Sequence, residues 1–410
     1  MRGRRLAAVV LAGIVAAGTG GAPAYAAPGP LRVDQVRAEQ WHLKTLNVAA
    51  AWEYSTGEGV TVAVIDSGVD AHHVDLDGQV LPGLDLVDPK GDGDTDLVGH
   101  GTTVAALIAG KADDTGVVGI APKAKILPVR VLDRENRYSD ALIVAKGVRW
   151  AVDHGARVIN LSLGGSGTSA ALAAAVDYAF AKDVVVVACT GNTGASESTG
   201  VWYPAREPGV LAVAGLERDG ESLWSGSITG RETTVSAPST QLVGARPSGY
   251  WRVQGTSFAA PMVSATAALI RARWPHMPAA EVVNRIIRTA DDRGPYGRDA
   301  TFGYGMVDPT AALTATVPTV TRNPLDTNRS PGTARFGDAP VAGQARSAPQ
   351  ALSPGTTGAR VPGANAGWPV PATESPLPSR SPGWWAAGTL FLLSVLVGVL
   401  TYRRFTRITH

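Results

Sequence analysis

Apolar residues fall in short runs through the middle of the chain and in two uninterrupted blocks at its ends. Val60–Ile65, Ile126–Leu132, Val158–Leu163, Val184–Ala188 and Val210–Gly215 are each too short for a helix and fit strands buried on both faces. Between them, Val104–Ala109, Ala141–His154 and Ala170–Lys182 have helical composition, as does the stretch from Ser257 to about Trp274. Strands alternating with helices predict an α/β fold: a doubly wound, mostly parallel sheet with helices on both faces. Polar residues at the carboxyl ends of its strands are then the first places to look for chemistry.

The end blocks read differently. Arg2, Arg4 and Arg5 precede the apolar Leu6–Ala17, and Ala24-Tyr25-Ala26 follows, the pattern of a secretory signal cut near Ala27. Those apolar residues are too few to span a bilayer, which takes about 20. Trp384–Tyr402, by contrast, is 19 residues without a charge, enough for one C-terminal transmembrane helix of about 28 Å. Trp384, Trp385 and Tyr402 stand at its ends, and Arg403, Arg404 and Arg407 follow, which places the C-terminus in the cytoplasm and the body outside. Leu377-Pro378-Ser379-Arg380-Ser381 lacks the Thr-Gly of a sortase-type anchor signal. Residues 316–383 hold 12 of the 28 prolines, scattered among Gly, Ser, Ala and Thr, and predict a flexible linker spanning about 45 Å. The expected layout is a signal peptide at 1–26, an N-terminal extension at 27–50, a catalytic domain at 51–315, the linker at 316–383, the transmembrane helix at 384–402 and a tail at 403–410.

Charge sharpens this layout. The 410 residues carry a net charge of +2, but residues 27–315 hold 25 Lys and Arg against 32 Asp and Glu. An exported body that is net acidic is unlike a nucleic-acid-binding domain. A single cysteine, Cys189, excludes a disulfide framework and reads as a small buried hydrophobe at a strand end.

Candidate chemistry sits where strands end. Thr61–Ile65 runs into Asp66-Ser67-Gly68, a carboxylate at an emerging strand, although such an Asp equally well caps the next turn. Of seven histidines only His100 is flanked by glycines, in Gly99-His100-Gly101-Thr102. Ser257, in Gly255-Thr256-Ser257-Phe258-Ala259-Ala260-Pro261, opens a helix, where free N–H groups favour developing negative charge. Pro261 cannot donate to the Ser257 carbonyl four residues back, so the first turn is expected to be open. An N-cap is the plain alternative for this serine. In Thr190-Gly191-Asn192, the Asn192 amide can donate to an oxyanion or belong to an ordinary turn.

Taken together in the order Asp, His, Asn, Ser, these boxes resemble those of the subtilisin-like serine proteases over roughly residues 51–315. The resemblance implies a subtilisin-like fold with Ser257 as nucleophile, His100 as general base then acid, and Asp66 as its buried orienter. It implies an oxyanion hole of Asn192 and the Ser257 backbone N–H. It also implies that Ser162-Leu163-Gly164-Gly165, with Gly191, binds an extended peptide substrate and lines its first specificity pocket. The extension is too short for an independently folding pro-domain, and Thr103 stands where many relatives carry a second His.

No cofactor is required. Asp92-x-Asp94-x-Asp96 has calcium-loop spacing without the glycine at position six or the glutamate at position twelve, and reads as a solvated loop. Asp113-Asp114-Thr115-Gly116 resembles a family calcium loop only loosely. Signal, short extension with Gln40-Trp41-His42-Leu43, protease domain, Pro-rich linker and single C-terminal helix resemble the mycosins of type VII secretion systems, whose mycobacterial members carry disulfides that one cysteine cannot make. Expected partners are a protein or peptide substrate, the membrane and the type VII membrane complex, with no nucleic acid. Two other roles fit the same sequence: a scaffold within that complex, and an anchored degradative protease of broad specificity.

Overall fold

The computed structural model describes residues 33–195 and 200–327. The expected signal peptide, most of the linker, the transmembrane helix and the tail lie outside the described residues. Among the described residues no helix is long and apolar enough to cross a membrane.

The chain opens with three short helices, α1 (Val33–Glu39), α2 (Trp41–Thr45) and α3 (Val48–Trp52). Then come β1 (Thr61–Asp66), β2 (Leu84–Asp85), α4 (His100–Ala109), β3 (Lys125–Arg130), α5 (Ala141–Asp153), β4 (Val158–Leu161), α6 (Ala170–Ala181), β5 (Val185–Cys189) and β6 (Leu211–Leu216). The last elements are β7 (Val235–Pro238), β8 (Leu242–Arg246), β9 (Gly249–Val253), α7 (Thr256–Arg273), α8 (Ala279–Thr289) and α9 (Pro309–Thr314). Seven strands form one parallel sheet in the order β2-β3-β1-β4-β5-β6-β7, and β8 and β9 form a separate antiparallel hairpin. All five strands expected from the apolar runs are present, within a residue or two at their ends.

Period-two alternation assigns the strand residues to two cores. Val62 and Val64 of β1, Val185 and Val187 of β5, and Val213 of β6 point into one cluster with α4 and α7. Ala63 and Ile65 of β1, Ile159 and Leu161 of β4, and Val186 and Ala188 of β5 point into the other, with α5 and α6. Both faces are therefore covered, which is why these strands read as continuous apolar runs. Side-chain caps start α5 and α6: Asp140 accepts from Leu142 N–H at 2.9 Å and Ser169 from Leu172 N–H at 3.3 Å.

Strand order locates the crevice. The chain builds β1 and β3 on one side, then crosses to lay β4 on the other flank of β1. Connections diverge there, and the carboxyl ends of β1 and β4 open a cleft. Asp66 is the last residue of β1, and Ser162 follows β4 directly.

Two departures matter for function. The helix expected from Val104 begins at His100, so the histidine belongs to its first turn. The N-terminal extension is integrated into the body. Gln40 donates to Val118 O and accepts from Val118 N–H, both at 2.9 Å, and Trp41 Nε1 donates to Thr240 O at 3.1 Å. Residues 316–327, assigned to the linker, also lie along the body, with Gly209 N–H donating to Leu325 O at 3.0 Å and Asn284 Nδ2 to Pro318 O at 2.8 Å.

Candidate active site

Asp66 emerges from β1 fully buried, and its Oδ1 lies 2.7 Å from His100 Nδ1. The same oxygen accepts from the Ser67 N–H at 2.8 Å. A glycine makes this approach possible. A Cβ on Gly101 would stand 2.0 Å from Gly68 O and 3.1 Å from Asp66 Cβ, so any side chain there would push α4 off the end of β1.

The first turn of α4 is held by side chains from outside the helix. Asp96 Oδ1 accepts from Ser67 Oγ at 2.9 Å, Val98 N–H at 2.9 Å and Gly99 N–H at 2.7 Å, and Oδ2 accepts from Thr102 N–H at 2.9 Å and Thr102 Oγ1 at 2.7 Å. Ser67 Oγ in turn accepts from Gly101 N–H at 3.0 Å. Asp96 is therefore a buried cap for the histidine's turn, which corrects the expectation of a solvated acidic loop at this residue. Burial raises its carboxyl above the ordinary range, against the pull of the Gly99 N–H and Thr102 donors.

Ser257 is the second residue of α7 and is buried. The Phe258 ring packs 5.2 Å from the His100 ring, which brings the start of α7 against the start of α4. Pro261 removes the helical donor for Ser257 O, and Ser162 Oγ supplies one at 2.6 Å. Asn160 Nδ2 donates to that hydroxyl and Ser264 Oγ to Asn160 Oδ1, each at 2.9 Å. Thus the turn expected to be open is closed from β4, and Ser162 is tied to the backbone of Ser257.

Asn192 is oriented by the same helix. Its Oδ1 accepts from Thr256 N–H at 3.0 Å and Thr256 Oγ1 at 2.9 Å. Because the Thr256 N–H is a donor, the amide oxygen must face it, and Nδ2 is the donor end of the side chain. Gly191, at φ 108°, donates to Thr256 Oγ1 at 3.2 Å. Leu163, Gly164 and Gly165 continue from Ser162 along the cleft, and Gly165 pairs with Tyr203. Cys189 lies beneath, its Sγ 3.9 Å from Ser257 Oγ and 3.8 Å from Leu163 O. Burial pushes its thiol up to about 11, so it stays neutral at ordinary pH.

The structure thus brings Asp66, His100, Asn192, Ser162 and Ser257 to one cleft at the carboxyl ends of β1, β4 and β5. Sequence reasoning missed Asp96 and the Ser67 bridge. A signal existed: an acid four residues before a helix start has the position of a capping side chain, once the helix is started at His100.

Both acidic loops make contacts within the protein. Asp96 is consumed by α4, and Asp94 N–H bonds back to Asp92 Oδ1 at 3.3 Å. In the other loop, Arg37 of the extension donates to Thr115 O at 3.0 Å and Gly116 O at 3.3 Å, and lies 3.8 Å from Asp113. Among the described residues no three His, Cys, Asp or Glu side chains are placed to share a metal.

Known proteins resemble this chain across the stretch that holds the cleft. The family model described as the subtilase family matches residues 57–305. Subtilisin DY of Bacillus licheniformis is 38% identical over 62% of this chain and 91% of its own length. Fervidolysin of Fervidobacterium pennivorans is 35% identical over 70% of this chain, and the match spans 45% of fervidolysin. Among solved structures, the MycP3 protease from the type VII (ESX-3) secretion system superposes with a TM-score of 0.60 at 33% identity, covering 67% of this chain and 88% of that one.

Proposed function

The chain belongs to the subtilase family, and on that premise we propose that it is a membrane-anchored extracytoplasmic serine endopeptidase that processes proteins at a type VII secretion system. The observation that carries the catalytic part is the 2.7 Å pairing of buried Asp66 with His100 at the helix start that meets the Ser257 turn.

In this reading His100 takes the Ser257 hydroxyl proton as Oγ attacks the scissile carbonyl, and later delivers it to the leaving amine. Asp66 holds the proton on Nδ1, so that Nε2 is the accepting nitrogen, and stabilises the imidazolium that forms. Asn192 Nδ2 and the Ser257 N–H receive the developing oxyanion, with the amide oriented by Thr256. An extended substrate backbone lies along Ser162–Gly165. The reading needs no cofactor.

The apolar Leu6–Ala17 after three arginines and the uncharged Trp384–Tyr402 before three more support export and a single anchor with a cytoplasmic C-terminus. Likeness to MycP3 supports the type VII setting. The test compares cells that lack the gene with cells restored by the wild type or by Ser257→Ala. Loss of processing of an exported protein in the Ser257→Ala cells is expected. Secretion that fails without the gene, yet is intact and fully processed with Ser257→Ala, would replace the processing role with a scaffold role.

A further inference from the structure

The residue on the acyl side of the scissile bond is attached to the carbonyl that Ser257 attacks and Asn192 receives. In the subtilase reading, its side chain enters the pocket lined by the Ser162–Gly165 edge and the Thr190–Asn192 turn. Both walls are fixed to α7, the first by Ser162 Oγ on Ser257 O and the second by Thr256 on Asn192. They continue from neighbouring strands, β4 and β5, whose last paired residues are Leu161 and Ala188.

A third segment is pinned between them. Trp202 N–H donates to Thr190 O at 2.9 Å, on one wall. Tyr203 exchanges two hydrogen bonds with Gly165, at 2.7 and 3.0 Å, on the other. The Trp202 side chain is fully buried, at 0% exposure. A Cβ on Gly191 would stand 2.4 to 2.6 Å from three atoms of its indole, and one on Gly164 would stand 3.2 Å from its Cβ and 3.5 Å from Cε3. The indole thus packs directly against Gly191, and the absence of a side chain there is what admits it, while Gly164 leaves room first for the Tyr203 carbonyl, 2.8 Å from where its Cβ would stand.

We propose that Trp202 is a specificity-determining residue: its indole fills the space behind the scissile carbonyl, and the site takes peptides with glycine, alanine or serine on the acyl side. This deepens the protease reading and rests on it. The depth of this pocket decides which side chain an enzyme of this chemistry accepts. A leucine or phenylalanine would have to displace an indole that buries on the order of 200 Å² and is held by its backbone at two points. Discrimination here is exclusion by bulk, which is larger than the modest preference a roomy apolar pocket gives between neighbours in size.

The test uses the full-length protein and blocked tetrapeptide p-nitroanilides identical except for a last residue of Gly, Ala, Ser, Leu or Phe. For the wild type we expect kcat/KM for Ala to exceed that for Phe by about 100-fold. Trp202→Ala is expected to raise the Phe rate at least about tenfold and to bring the ratio near or below one. A wild type that prefers Leu or Phe overturns the proposal, and so does an unchanged ratio in Trp202→Ala. Since that variant removes a large buried ring, Trp202→Leu serves as the milder one, with an intermediate ratio expected. A fluorophosphonate, whose reaction with the catalytic serine needs no side-chain pocket, separates the failures. Labelled wild type that cleaves none of the small-residue peptides contradicts the role of Trp202, whereas protein neither labelled nor active contradicts the protease reading beneath it.

Discussion

His100 and His42 are equally sealed from solvent, at 0% exposure each, and only one has a carboxylate beside it. His100 Nδ1 lies 2.7 Å from Asp66 Oδ1. His42, on α2 of the extension, is buried with no hydrogen-bond partner for either ring nitrogen among the described residues. Burial alone pushes His42 down to about 3, because an imidazolium without a partner cannot be taken out of water cheaply. A general base must become an imidazolium during the reaction, so the Asp66 carboxylate, and not seclusion, is what makes a buried histidine useful.

That contrast can be broken deliberately. Asp66→Asn would give His100 surroundings closer to those of His42, and kcat is expected to fall by about 10⁴-fold with little change in KM. Asn192→Ala leaves the histidine pair intact and removes one oxyanion donor, so steady-state kinetics should show a drop of about 10²- to 10³-fold, again in kcat. Asp96→Ala leaves the N–H groups of Val98, Gly99 and Thr102 without their acceptor. Denaturant unfolding is expected to show a loss on the order of 3 kcal/mol, with kcat down about tenfold as His100 loses its fixed turn.

His42→Leu tests the other half, with the smallest effect on activity: kcat/KM should stay within about twofold. Its signature is in stability against pH. The folded value, about 3, is below the ordinary 6.5, so below pH 6.5 the unfolded chain binds a proton that the folded chain refuses. His42 therefore costs the wild type about 1.4 kcal/mol per pH unit as pH falls from 6.5 towards 3, and nothing above 6.5. The variant should lack that slope. An identical slope in both proteins would show that other groups set the acid sensitivity.

Much of the site could be read from sequence because it follows one geometric rule. Asp66 ends an apolar run, Asn192 follows another, and Ser257 opens a helix with Gly255 before it, so a parallel sheet must collect them on one edge. His100 was readable as a residue but not as an element. Gly101, Thr102 and Thr103 are poor helix formers, and the helix begins there only because Asp96 and Ser67 satisfy its first N–H groups from a distance. Spacing also misled at Asp96, since Asp92-x-Asp94-x-Asp96 shows three carboxylates in a row and nothing in the row says that the third turns inward. The extension, the β8–β9 hairpin and Trp202 depend on contacts between residues far apart in sequence. No local pattern announces that Gln40 meets Val118 or that Gly191 makes room for an indole.

Activation of Ser257 by Asp66 and His100 for attack on a peptide bond is tested most directly by measuring peptide cleavage by the purified full-length protein beside its Ser257→Ala variant. A fall of at least about 10⁴-fold in kcat with folding unchanged is expected; equal rates in the two proteins would show that Ser257 is not the nucleophile.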